Sequence, residues 1–151
     1  MNGYYYVVNT IKDYLKNTYF INTVTIGDIF GVDLNKQTIF PLSHIIVNNA
    51  TLNENTTSLN ISILFMDLVD ESKEEITDIW LSNDNEQDVL NTQLALASRL
   101  TSDLMRGTLF TSLVQVLSSP SAEPFIDRFE NKVAGWTLTF DVTIPNDMTI
   151  C

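Results

Sequence analysis

From Tyr4 to Leu15 the apolar residues recur at spacings of three and four: Tyr4, Val7, Val8, Ile11 and Leu15. Asn9, Lys12, Asp13 and Lys16 fall largely on the opposite side. This periodicity predicts an amphipathic helix over 4–17. Its β-branched residues lower its intrinsic propensity, so packing must hold it. Thr23-Val24-Thr25-Ile26 then alternates in the strand manner, and Gly27 and Gly31 punctuate the next stretch of chain. Ile39-Phe40-Pro41-Leu42 leads into a second strand, Ser43-His44-Ile45-Ile46-Val47, and Asn53-Glu54-Asn55 marks a turn. Leu59, Ile61, Ile63, Phe65 and Asp67 share one face of a third strand, with Asn60, Ser62, Leu64, Met66 and Leu68 on the other. A long antiparallel hairpin, 42–50 with 58–69, is therefore expected. After Leu64 the strand is apolar on both faces. That calls for a helix on one side and a second cover on the other, for which a neighbouring subunit is a candidate.

The second half begins in an acidic stretch, 67–88. Ser82 or Asn83 caps a long helix, with Glu86 three residues after Asn83 in capping-box register. Leu90, Leu94, Ala97, Leu100 and Leu104 form its predicted apolar stripe, and Arg106 and Gly107 mark its end. Residues 111–117 are a further strand candidate, closed by the turn Ser118-Ser119-Pro120-Ser121. Val133, Trp136, Leu138, Phe140, Val142 and Ile144 alternate with Thr137, Thr139, Asp141 and Thr143 in the last strand, which Pro145 ends. The expected class is α+β: an antiparallel or mixed β-sheet with a long β-hairpin, packed against an N-terminal helix and a long central helix. No repeat or linker divides the chain, so 1–151 is read as one domain.

Charge narrows the possible partners. The net charge is −11, from 8 basic and 19 acidic residues. A dedicated DNA or RNA binder needs a basic face, and so does docking on anionic lipid. Cys151 is the single cysteine, so no internal disulfide forms. No signal peptide is expected, and the longest apolar runs fall far short of a membrane span. The Asn-x-Ser/Thr triplets at Asn49, Asn55 and Asn60 are read as chance products of Asn/Thr-rich strands.

The residues offer no catalytic constellation. The one histidine, His44, adjoins Ser43, and strand neighbours point to opposite faces, so the two cannot act as nucleophile and base. One His and one Cys cannot build a four-ligand zinc site. Gly27 and Gly31 lack the Lys-Ser/Thr of a phosphate loop. Asp84-Asn85-Glu86-Gln87-Asp88 spaces its oxygens like a calcium loop but lacks the central glycine and closing glutamate. The expectation is therefore no enzyme, no cofactor and no metal.

Aromatic and apolar residues outside the core pattern are interface candidates. Tyr4, Tyr5 and Tyr6 cannot all face one core from one helix. Ile79 and Trp80 lie among acids, Arg128 is suited to a bidentate ion pair, and Met148 and Ile150 come after the last strand.

Three blocks carry a resemblance. They are Phe40-Pro41-Leu42-Ser43-His44-Ile45-Ile46-Val47 with its Asn/Thr-rich hairpin; Asn83-Asp84-Asn85-Glu86-Gln87-Asp88 leading into the long helix; and Pro124-Phe125 through Asp127-Arg128-Phe129-Glu130 to Gly135-Trp136-Thr137 and the closing strand. In these blocks, and in element order over nearly its whole length, the chain resembles the tail-completion or tail-terminator-like ring proteins of tailed bacteriophages, particularly crAss-like phages. None of the blocks is a catalytic signature. The resemblance implies a homo-oligomeric ring, twelve-fold or six-fold, in the neck or tail of the virion. Such a ring joins portal or head–tail connector proteins to the tail and passes duplex DNA without sequence-specific binding. A different class fits the same composition: an acidic soluble binding module of the inhibitor or DNA-mimic type.

Overall fold

A computed structural model describes residues 3–27, 40–69, 86–106, 115–116, 119–126 and 133–145. The element order is α1 (Gly3–Lys16), β1 (Thr23–Ile26), β2 (Leu42–Leu52), β3 (Thr56–Leu68), α2 (Glu86–Arg106), β4 (Gln115–Val116), β5 (Ser121–Ile126) and β6 (Val133–Pro145). The fold is α+β, as the pattern predicts. Its sheet runs β1-β2-β3-β6, and β6 takes β4 and β5 on its far side at two separate positions. All pairs are antiparallel except β1 with β2, so the sheet is mixed.

Hydrophobic alternation sets the hairpin register. Ile45 opposes Ile63 and Ile63 opposes Leu138, while Val47, Ile61 and Phe140 form the next row. A one-residue slip would turn every such side chain to the other face. This face carries both helices. Val7, Ile11 and Leu15 of α1 and Leu96, Ala97, Leu100 and Leu104 of α2 pack with Ile45, Leu59, Ile61, Ile63, Phe65, Leu138, Phe140, Val142 and Ile144. Full burial of one such side chain is worth about 1.5–3 kcal/mol. Trp136 Nε1 donates to the Leu90 carbonyl at 2.8 Å and ties the start of α2 to β6.

Four details differ from the sequence expectation. The α2 stripe is rotated: Val89, Gln93 and Leu96 are buried with Ala97, Leu100 and Leu104, while Leu94 is exposed. Steps of 89, 93, 96, 100 and 104 match the helical repeat as well as the Leu-based stripe does, and apolarity alone does not reveal that a glutamine takes part. In α1, Tyr4 is exposed while Val7, Val8, Ile11 and Leu15 are buried. The strand β5 is absent from the sequence expectation, which places Ser121 in a turn; the structure starts the strand at Ser121, and an outer strand tolerates its Pro124.

The fourth correction concerns the cover of the second sheet face. Leu42, Leu64, Met66, Phe125 and Val133 cluster there with Phe40. Met66 is fully buried within a single chain, so no neighbouring subunit is needed to cover it.

The same face turns polar towards the hairpin tip. Asn48 Nδ2 donates to Asn60 Oδ1 and Ser62 Oγ, both at 2.8 Å. Asn60 Nδ2 in turn donates to Asp141 Oδ1 at 2.9 Å. Ser62 pairs with Thr139 at 3.0 Å and Ser58 with Thr143 at 3.1 Å. Asn60, the third of the sequon asparagines, is thus a structural link across β2, β3 and β6.

Candidate functional site

Alternation sends Ser43 to the helix face and His44 to the opposite one, and both are buried. His44 Nε2 donates to the Gly27 carbonyl at 2.6 Å, and Nδ1 is hydrogen-bonded with Thr25 Oγ1 at 2.6 Å. Gly27 adopts φ of 100°, a left-handed conformation that glycine takes without steric cost. Its amide donates to the Ile45 carbonyl at 3.0 Å. The ring therefore fastens the end of β1 to β2, and the Ser43 hydroxyl makes no hydrogen bond. Among the described residues no group of three or more His, Cys, Asp or Glu side chains is placed to hold a metal ion.

The charges are segregated. None of the described strands contains Lys or Arg, and Lys12, Lys16, Arg99 and Arg106, the cations among the described residues, all lie on the two helices. At the helix–helix seam Tyr14 Oη donates to the Asp103 carboxylate. Burial pushes the Tyr14 hydroxyl well above its ordinary range, and the Asp103 bond adds to the shift.

The interface candidates separate into three groups. Tyr4 and Tyr5 are exposed, Tyr5 at 67%, and their rings meet edge to face with centroids 6.0 Å apart. Tyr6 is half-buried and packs against the main core instead. Ile79, Trp80, Arg128, Met148 and Ile150 lie outside the described residues.

A second aromatic pair is absent from the sequence expectation. Tyr19 and Phe20 stand in the turn after α1, 90% and 56% exposed, with centroids 5.3 Å apart and planes at 88°. The available signal is their adjacency just past the predicted helix end, where two consecutive rings cannot both reach one core. Ile26 at the end of β1 and Leu52 near the hairpin tip are also exposed.

No protein-family model matches the chain, and no curated protein matches it in sequence. No helix among the described residues is long and apolar enough to cross a membrane. The fold and its surfaces define an α+β protein in which the exposed aromatic rings among the described residues are concentrated at the two ends of α1.

Proposed function

We propose that this chain is a structural ring subunit of a tailed-phage virion, seated in the neck or tail between portal or connector proteins and the tail, with duplex DNA passing through its lumen. One observation supports it best: an exposed edge-to-face aromatic pair at each end of α1, Tyr4–Tyr5 at one and Tyr19–Phe20 at the other. With 14 residues α1 is about 20 Å long. Two different contact surfaces at opposite ends of an element favour head-to-tail association, which closes into a ring or grows into a filament. Exposed aromatic area of this kind is the usual anchor of a protein contact.

The charge pattern suits a conduit. A chain of −11 neutralises few phosphates, so passing DNA is held weakly and without sequence preference. A native mass measurement, with imaging of virions, tests the proposal. A closed homo-oligomer located in the neck or tail is expected. A compact monomer absent from the particle would overturn it and favour the acidic binding module.

A further inference from the structure

The two edges of the sheet are not alike. On the far side of β6, the outer strand β5 carries Glu123 and Pro124. Proline at a sheet edge offers no N–H to a further strand, and a charge beside it discourages pairing. At the other edge β1 pairs only with the first part of β2, from Thr23 opposite Leu42 to Ile26 opposite Ile45. Gly27 then turns away at positive φ. Beyond Ile45 no described residue pairs with the outer side of β2, and Asn48 to Leu52 are all exposed. This stretch has no proline and no charge, and among the described residues the one feature that blunts it is the bulge between Val47 and Asn49.

The hydrogen-bond phase of the hairpin shows which backbone groups are open. Asn53 N donates to the Thr56 carbonyl at 2.9 Å, so that pair is of the bonded type. Bonded and non-bonded pairs alternate along an antiparallel ladder. Leu52 opposite Thr57 and Ala50 opposite Leu59 are therefore non-bonded pairs. The N–H and C=O of Ala50 and Leu52 point outward, away from β3.

We infer that this open edge pairs antiparallel with the same edge of a second copy, about a two-fold axis at Thr51. That register sets Ala50 opposite the partner's Leu52 and matches each outward amide with an outward carbonyl. It also sets Thr51 opposite its own copy, a favourable cross-strand pair. Glu54, the only charge between Leu42 and Met66, then lies at opposite ends of the paired stretch. For a chain of −11 this is a surface where a second copy meets little like charge. The contact is short, far below the roughly 1,600 Å² of a standard interface, so the pairing is weak and strengthens as salt screens the net repulsion. A cationic foreign strand would show the opposite salt dependence. The inference does not rest on the ring proposal.

Sedimentation equilibrium from roughly 10 μM to 1 mM tests it, on the wild-type chain and on a Tyr19→Ser/Phe20→Ser chain in which the α1 contact is removed. Both are expected to pair, more tightly at higher NaCl. Thr51→Glu and Thr51→Lys should each lose pairing at least tenfold, since like charges then face each other directly, and an equimolar mixture of the two should recover it. Ala50→Pro should lose pairing with unchanged thermal unfolding, because only an outward amide is removed; if it does not fold, the Thr51 variants decide. The inference is overturned if the Tyr19→Ser/Phe20→Ser chain stays monomeric throughout, if the Thr51 variants associate as before, or if their mixture does not recover pairing. Ring closure failing while this pairing persists would count against the ring alone.

Discussion

Tyr14 of α1 and Asp103 of α2, 89 residues apart in sequence, are joined by a hydrogen bond from the phenol to the carboxylate. The bond sits at the seam where both helices lie on one sheet face. Tyr14→Phe keeps the ring and deletes the donor, leaving a half-buried carboxylate short of a partner. A loss of about 1–2 kcal/mol is expected in urea denaturation. The same residue confers a pH dependence. Tyr14 is raised above its ordinary value, first by burial and then by Asp103. Its contribution is therefore complete below about pH 10, where the unfolded tyrosine titrates, and falls as pH rises beyond that. Thermal unfolding should decline above pH 10 in the wild type and decline less steeply in Tyr14→Phe. Identical slopes would refute the assignment.

Gly135 opposes Met66 where β6 crosses β3. A Cβ built there meets the Phe65 carbonyl oxygen at 1.8 Å and its carbon at 2.8 Å. Backbone atoms of a central strand cannot yield as a flexible side chain does. Gly135→Ala should cost about 3 kcal/mol or more, or prevent folding, in equilibrium denaturation. A near-neutral result would mean the two strands are less closely apposed here.

His44 holds the end of β1 through Gly27 and Thr25. His44→Leu fills the buried space but leaves the Gly27 carbonyl and Thr25 hydroxyl without that partner. Hydrogen exchange at the Gly27 amide should accelerate at least tenfold, while amides in the centre of β3 stay protected. Equal acceleration in both strands would point to global destabilisation instead.

The two aromatic ends of α1 can be tested separately. A Tyr4→Ser/Tyr5→Ser chain and a Tyr19→Ser/Phe20→Ser chain each retain one end. If the ends meet head to tail, neither variant forms closed rings, and mixing them below the concentrations at which the weak β2-edge pairing is populated gives pairs that stop at two copies. Native mass spectrometry reads this directly. Unchanged melting temperatures are expected, since all four rings are exposed. Rings formed by either variant alone would place the contact elsewhere.

Period-two alternation in β3 and β6 and period-3.6 recurrence in α1 are local properties, so the sequence alone determined the hairpin, the last strand, both helices and the α+β class. The opposite facing of Ser43 and His44 comes from the same pleat. Tertiary structure decided whatever depends on residues distant in the chain. Gln93 lies within the α2 stripe because the helix rotates to suit the sheet beneath it, and Met66 is covered by its own chain. Pro124 is admitted to β5 because the strand is outermost. The Tyr19–Phe20 pair is visible as a dipeptide, but its exposure depends on where the turn after α1 emerges. Among the described residues β1 pairs with β2 only as far as Ile26 opposite Ile45, while β2 runs on to Leu52, and that difference in length is a property of the assembled sheet. Propensity and periodicity act within a few residues of chain, whereas exposure and strand order are set by which distant segments come to lie side by side.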